Sequence, residues 1–406
     1  MLVRFHGVRG SSPTCDLRTW RYGGNTPCVE VETPAGHRII LDGGTGLRSL
    51  GRSVSPNVPV APFQATFLLS HYHWDHIQGL PFFLPLYDPQ NRFEFFGLQP
   101  EGGAKMESVL QGQMIRPYFP VDLSVLAAAR SFTAIGSETR WQVGDATIET
   151  GRLHHPQGCL GFRIETEQGV VTYSTDTEPG DPAGDQSVRH LARGADILIY
   201  DAQFSPAFLK RRKGWGHSSW VEAIAVAKDA GARCLILFHH DPDSNDASVD
   251  RFVQLARDQW PRTWGAAEGY QVSCRTPEVR VETSAPRVGP RVLARLPVRL
   301  RGQRADGSPI EREAFISNLS LKGTCVVVPE PLDLNSEVEI VLTESEDGEA
   351  VMTGQVVRIG MDRETGQPTI GVVFPVETRR LRRIAGPEGP EADKTGALAA
   401  PEETPS

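Results

Sequence analysis

The six cysteines, Cys15, Cys28, Cys159, Cys234, Cys274 and Cys325, include no Cys-x-x-Cys pair. That absence excludes a thiolate zinc site and a disulfide framework, and it predicts mostly buried, reduced thiols. Nor is there a stretch of about 18 apolar residues, the length that a membrane-crossing helix needs. The opening Met1-Leu2-Val3-Arg4-Phe5-His6 is too short an apolar run for a secretory leader, so a cytoplasmic protein with no membrane partner is expected. An excess of positive charge is missing as well. The formal net charge is −8, which argues against gripping duplex nucleic acid through a broad basic surface.

What is present suffices for two ordered domains, because 406 residues exceed what one hydrophobic core serves. Through residue 276, short β-rich runs such as Arg38–Asp42, Ala65–Ser70, Val170–Asp176, Asp196–Asp201 and Cys234–Phe238 alternate with helical patterns, the mark of a layered α/β domain. Residues 277–290, rich in proline and charge, read as a linker. Over 291–384, strand patterns at Leu296–Arg301, Thr324–Val328, Val338–Leu342, Val351–Ile359 and Thr369–Phe374 suggest a small antiparallel barrel. Residues 385–406, rich in Gly, Pro, Glu and Ala, read as a disordered tail.

The sharpest local signal is Ser70-His71-Tyr72-His73-Trp74-Asp75-His76, directly after the strand pattern Ala65–Leu69. Imidazole and carboxylate suit zinc, manganese and iron, and a loop at the C-terminal end of a strand can aim several such groups inward at once. Further candidates stand at other strand ends: His155, Asp176, His217 and His239. His154 and His240 adjoin two of these. Neighbours in extended chain point to opposite faces, so one of each pair should face a metal and the other serve as a hydrogen-bond partner or lie at the surface. His239 is preferred because it follows the apolar strand Leu235–Phe238. Ser219 and Glu222 have the spacing of a helix capping box, which sets His217 at a helix N-terminus, where the partial positive charge favours anions and disfavours imidazolium. A histidine that merely caps the turn is the alternative. The basic run Lys210–Lys213 is either an entrance for an anionic substrate or a solvated loop.

The series His71-x-His73-x-Asp75-His76, then His155, Asp176 and His239, resembles the metal-ligand set of the metallo-β-lactamase superfamily. Within it the pattern is closest to the phosphodiesterase branch that holds the tRNA 3′-processing endonucleases and cyclic phosphodiesterases. The resemblance covers roughly residues 1–275 and implies a four-layered αβ/βα sandwich with two divalent metal ions, zinc first and manganese or iron next. By that likeness His71, His73 and His155 bind one ion, Asp75, His76 and His239 the other, and Asp176 both, with a bridging hydroxide that Asp75 could orient. His155 is favoured over His154 because His-Pro after a strand matches the family. Asp42 would support the site from behind. His217 matches a Gly-His-Ser element whose histidine neutralises the phosphate and protonates the leaving oxygen, so Asp75 and His217 are the expected catalytic pair. The opening glycine-rich segments also resemble this branch, which makes Arg9 and Asn25 site candidates. The tRNA-processing members carry a long arm in the region after Asp176. Here only about 40 residues separate Asp176 from His217, so a small phosphodiester is the expected substrate.

In the second domain, Arg287-Val288-Gly289-Pro290-Arg291 fits Arg-x-x-x-Arg, and about 27 residues after Arg291 comes Asn318-Leu319-Ser320-Leu321-Lys322-Gly323. Together they resemble the two-part signature of PilZ domains, with Arg295 as an alternative register. Guanidinium groups can grip phosphates and stack on guanine, while Asn318 and Ser320 offer hydrogen bonds to a base and Gly323 permits close approach. The resemblance implies cyclic di-GMP as a regulatory ligand, and a homodimer is compatible with the sequence. Two rival readings are a cyclic di-GMP receptor whose hydrolase-like domain is a binding platform, and a metallo-hydrolase of a lactone or thioester. Retention of every ligand weighs against the first and His217 against the second.

Overall fold

The computed structural model describes residues 1–54, 62–275, 278–282, 292–303, 308–320, 323–330, 332, 336–342, 350–361 and 367–373. The chain divides into two compact units, Met1–Pro286 and Arg287–Ser406.

In the first unit, short apolar runs rich in Val, Ile, Leu and Phe form strands, of which the central ones, Gln64–Leu69, Ile197–Asp201 and Leu235–Phe238, are buried on both faces. One sheet runs in the order Glu278–Glu282, Gln271–Arg275, Leu2–Gly7, Cys28–Glu32, Arg38–Leu41, Gln64–Leu69, Arg92–Leu98, Ala129–Ile135, and its last four strands are mutually parallel. The other runs Thr263–Gly265, Leu235–Phe238, Ile197–Asp201, Gly169–Ser174, Cys159–Thr166, Ala146–Leu153, Arg140–Val143, and its first four are parallel. Alternation along each strand divides the core. Leu41 and Leu68 meet Phe162, Tyr173, Ile199 and Phe238 between the sheets. Phe67 and Leu69 turn outward onto Leu47 and Leu50 of the helix Gly46–Val54 and Leu110 of the helix Met106–Gly112. Leu198, Tyr200, Leu235 and Leu237 cover Val188, Ile224 and Val253 of the helices Pro182–Ala192, Trp220–Ala230 and Asp246–Gln259. Each such buried side chain contributes about 1.5–3 kcal/mol. These are the four αβ/βα layers expected.

The second unit contains a closed barrel in the order Val292–Gln303, Pro309–Ser320, Gly323–Val327, Pro368–Val373, Ala350–Met361, Glu337–Leu342, with every neighbouring pair antiparallel. Val298, Leu300, Ala314, Ile316, Val326, Ile340, Val356 and Ile370 fill it. A small antiparallel barrel was the expectation, though the strand Pro309–Ser320 was not among those anticipated. Its exposed Glu311-Arg312-Glu313 interrupts the apolar alternation of Ile310, Ala314 and Ile316.

The linker expected over 277–290 needs correction at its start. Glu278–Glu282 is a strand, paired antiparallel with Gln271–Arg275 at the edge of the first sheet. Glu-Val-Arg-Val-Glu is a period-two pattern, and Val279 and Val281 pack on the intersheet core. Residues 283–290 and the tail 385–406 lie outside the described residues. Four of the six cysteines are buried, Cys15 is exposed and Cys325 is intermediate. Among the described residues, no helix is long and apolar enough to cross a membrane.

Candidate metal centre

The strand ends deliver the site. Gln64–Leu69 runs into Ser70–His73, and the one-turn helix Trp74–Ile77 carries Asp75 and His76. Asp42 follows Arg38–Leu41, His155 follows Ala146–Leu153, Asp176 follows Gly169–Ser174, Asp201 closes Ile197–Asp201 and His239 follows Leu235–Phe238. Six described non-glycine residues have positive φ, and five of them, Ser11, Asp42, Gln157, Asp176 and His239, belong to this cluster or hydrogen-bond to it. Backbone that most side chains avoid is thus concentrated here, where the fold must re-aim a side chain at the end of a strand.

The side chains form two trios joined by one carboxylate. His71, His73 and His155 converge, with His73 Nδ1 3.0 Å from His155 Nε2. Asp75, His76 and His239 converge likewise, with Asp75 Oδ2 3.2 Å from His76 Nε2 and 3.3 Å from His239 Nε2. Between them lies Asp176. Its Oδ1 is 3.9 Å from His71 Nε2 and 3.8 Å from His155 Nε2, and its Oδ2 is 3.3 Å from both His76 Nε2 and His239 Nε2.

Each of these five imidazoles has its outward nitrogen engaged, which leaves the inward one for a ligand. His71 Nδ1 meets Ser70 Oγ at 3.0 Å, His73 Nε2 meets Gln157 Oε1 at 2.9 Å and His76 Nδ1 meets Asp42 Oδ2 at 2.8 Å. His155 Nδ1 meets the Gly216 carbonyl at 2.9 Å, and His239 Nδ1 meets Gln203 Oε1 at 2.8 Å. Such outer bonds orient metal-binding histidines and set their tautomer. His71 Nε2, fully buried, has no hydrogen-bond partner at all. A buried nitrogen left bare is costly unless a cation takes its lone pair.

The charges agree with that need. Burial, reinforced by His76, holds His71 well below the ordinary histidine range, and burial lowers His155 to about 4, so both rings are neutral ligands at pH 7. Burial opposes the charged form of His76 too, yet Asp75, Asp176 and Asp42 together raise it well above the ordinary value. A proton there answers the surplus of buried carboxylates, a surplus that divalent cations would answer better. The donor set therefore fits a divalent metal centre.

His217 lies two residues ahead of Ser219, whose Oγ caps Trp220–Ala230 as the sequence suggested. Its ring stacks on His239 with centroids 5.1 Å apart. Its protonation runs against expectation. Burial disfavours imidazolium, but Asp201, 3.0 Å from Nδ1, and then Asp176 and Asp75 outweigh it and raise the pKa. A full carboxylate charge at contact exceeds the fractional charge of a helix end.

Other expectations sort by geometry. Asp42 accepts from Ser70 N–H at 2.7 Å, from Ser70 Oγ and from Tyr173 OH, both at 2.8 Å, and so braces His76. His154 Nδ1 bonds the Glu178 carbonyl, and His240 Nε2 the Ala266 carbonyl, both away from the trios. Arg9 and Asn25 are corrected as site candidates. Arg9 is buried and donates to the carbonyls of Gly23, Asp241 and Ser244, while Asn25 donates to Glu268. Both brace loops. In the basic run, Lys210, Arg211 and Lys213 are exposed and Arg212 stacks over Trp215 at 4.2 Å. Asp201, Gln203, Tyr173, Gln157 and Glu178 were not anticipated. Glu178 accepts from Gly214 and Gly216 N–H and so sets the loop before His217. Asp201 had a signal in the sequence, a lone carboxylate closing the apolar run Ile197–Tyr200.

In the barrel, Arg287 and Arg291 lie outside the described residues. Arg295 falls in Val292–Gln303, Asn318 and Ser320 in Pro309–Ser320, and Gly323 pairs with Ser320 at the start of the next strand.

Residues 37–240 match the family model of the β-lactamase superfamily domain, and residues 284–385 match that of the PilZ domain. The chain is 24% identical over 304 residues to Ribonuclease Z of Haloarcula marismortui, covering 64% of this chain and 91% of that protein. It is 30% identical over 150 residues to Ribonuclease Z of Brevibacillus brevis, covering 36% and 44% respectively. The solved metallo-β-lactamase fold protein YhfI from Bacillus subtilis superposes with a TM-score of 0.50 at 20% identity, over 66% of this chain and 97% of its own, a likeness of fold.

Proposed function

Because this chain belongs to the metallo-β-lactamase superfamily and carries a PilZ domain, we propose that it is a two-metal phosphodiesterase acting on a small phosphodiester, with cyclic di-GMP as the ligand of its barrel. Metal-dependent hydrolysis is the chemistry of its relatives, and the bond cleaved is what the proposal adds. His71, His73 and His155 would hold one divalent ion, Asp75, His76 and His239 the other, with Asp176 serving both. Zinc is the metal we assign, since its sites are built from such imidazole and carboxylate sets. Bound divalent ions supply Lewis acidity toward a phosphoryl oxygen and an acidified water.

The chain's own residues do the rest. Asp75 accepts the Ser11 N–H at 2.7 Å, which fixes its carboxylate for orienting a nucleophile. Asp201 engages Nδ1 of His217, leaving Nε2 to donate a proton to the departing oxygen. This His217–Asp201 pair beside Asp176 is the observation that carries the phosphodiester reading, because a lactone or thioester brings no phosphate for a protonated ring to meet. The stretch from Asp176 to His217 is taken up by Pro182–Ala192, Ile197–Asp201 and Pro206–Arg211. That favours a small substrate over tRNA. In the PilZ region, Arg287 and Arg291, or Arg291 and Arg295, would grip the phosphates of cyclic di-GMP, with Asn318, Ser320 and Gly323 at its bases. Such a ligand alters catalysis only by binding one state of the chain better than another.

Hydrolysis of bis(4-nitrophenyl) phosphate, a lactone and a thioester, each with and without EDTA, tests the reading. Turnover of the diester alone, lost in EDTA and greatly slowed in His217→Ala with metals retained, is expected. Turnover of the lactone or thioester in its place would overturn it.

A further inference from the structure

The ligand motif contains two aromatic residues, Tyr72 and Trp74, that the metal trios do not use. Tyr72 donates its hydroxyl to the Leu98 carbonyl, which fixes the ring. A cavity of about 210 Å³ is lined by His71, His73 and Gln157 together with Tyr72 and Val109. A second cavity of about 590 Å³ shares Tyr72 and Val109 and continues along Trp74, Phe82, Tyr118 and Phe119. The two are therefore neighbours with Tyr72 and Val109 as common lining, the smaller bordered by His71 and His73 of the first trio and the larger by an aromatic wall.

That wall is open. Trp74 is 77% exposed, Tyr118 80% and Phe82 52%, while Phe82 and Phe119 meet edge to face at 5.8 Å. Large flat rings left to solvent side by side mark a binding surface. Among the described residues no charged side chain lines the 590 Å³ cavity, so a phosphate finds no counter-charge by entering it. An uncharged planar group does gain, and the volume lies within the range of small-molecule pockets.

We infer that Trp74, Tyr118, Phe82 and Phe119 form a stacking subsite for a planar aromatic ester group, a nucleobase or an aryl ring, of the substrate whose phosphate lies at the metal trios. This deepens the phosphodiesterase reading and rests on it. Adjacency supplies the connection, since the cavity along the wall shares Tyr72 and Val109 with the one that His71 and His73 line. Every base has a face to stack, so the subsite selects for planarity rather than for one base.

The test uses the full chain and two diesters sharing a 4-nitrophenyl leaving group, thymidine 5′-(4-nitrophenyl) phosphate and methyl 4-nitrophenyl phosphate. The ratio of kcat/KM, nucleoside over methyl, is expected to fall about ten-fold in Trp74→Ala and in Tyr118→Ala, the size of one stacking contact, and to recover in Trp74→Phe. An unchanged ratio in Tyr118→Ala overturns the subsite; that residue is too exposed for its loss to unfold the chain. Should the wild type hydrolyse neither ester, the phosphodiesterase reading fails and binding decides the subsite. Saturable quenching of tryptophan fluorescence by thymidine 5′-monophosphate, absent in Trp74→Ala, then supports it, and no quenching overturns it. A fall from dimer to monomer in Tyr118→Ala with the ratio intact would make the wall a contact between two copies and also overturn the subsite.

Discussion

Asp201 Oδ2 lies 3.0 Å from His217 Nδ1 and also accepts the backbone N–H of Asp176 at 3.1 Å. One buried carboxylate thus orients the ring assigned as proton donor and the loop of the carboxylate shared by both trios. Its Oδ1 accepts from the N–H of Ser218 and of Gln203, which leaves it no freedom to turn.

Asp201→Asn keeps the volume and removes the charge. Hydrolysis of bis(4-nitrophenyl) phosphate is expected to fall by about 10–100-fold, the usual effect of losing a partner behind a site, with metal content unchanged. Steady-state kinetics beside elemental analysis checks this, and a wild-type rate would remove Asp201 from the account.

Gly216 has φ +80°, and a Cβ there would stand 2.1 Å from His155 Nδ1. The substitution Gly216→Ala must therefore push aside both the backbone and a ring that the carbonyl of this same residue orients. Metal content is expected to drop on the side of His155 and activity to fall at least about ten-fold, the lower end of the effect of disturbing a ligand's support. Full metal content in a folded variant would contradict the placement of His155.

Acid should destabilise the metal-free chain through histidines kept neutral by burial. Burial and then the charge of Arg9 lower His240 to about 3, and burial lowers His155 to about 4. In the unfolded chain both titrate near pH 6.5. Between those values unfolding takes up protons, so the stability they contribute is complete above about pH 6.5 and is lost as pH falls toward 4 and 3. Thermal melts should show Tm falling over that window, less steeply in His240→Gln, and equal slopes would contradict it.

Legibility in the sequence followed how local each feature is. His71, His73, Asp75 and His76 stand in one heptapeptide, so their chemistry was readable at once. Asp42 and His239 were readable because each directly follows an apolar run, and Asp176 because it stands at the end of the strand pattern Val170–Asp176. Strand alternation anticipated that one histidine of each adjacent pair turns inward, the family likeness pointed to His155 and the apolar strand to His239, and the structure turns these two to the trios and sends His154 and His240 elsewhere. Gln203 and Tyr173 escaped because an amide or a phenol becomes significant only when a distant element packs against it, whereas Asp201, which closes the apolar run Ile197–Tyr200, was passed over although it carried the signal of Asp42 and His239. Tyr173 reaches Asp42 across 131 residues of sequence. Pro309–Ser320 escaped because the exposed Arg312 falls at the same parity as the buried Ile310, Ala314 and Ile316 and breaks their alternation, and Glu278–Glu282 because only two apolar residues, Val279 and Val281, mark its pattern.

Calorimetric titration of the full chain with cyclic di-GMP should show binding that is lost in Arg291→Ala. Guanidinium grips on phosphate are charge-assisted and bidentate, and lysine does not reproduce their geometry, so Arg291→Lys should weaken binding rather than preserve it. Absence of heat in the wild type would reduce the barrel to a scaffold.

The count of divalent ions per purified chain bears most directly on the central claim that two trios are joined through Asp176. The wild type is expected to hold close to two. In His71→Ala and Asp176→Asn, both with native circular dichroism, the count should fall toward zero, whereas an unchanged count in both would contradict the assignment of the site.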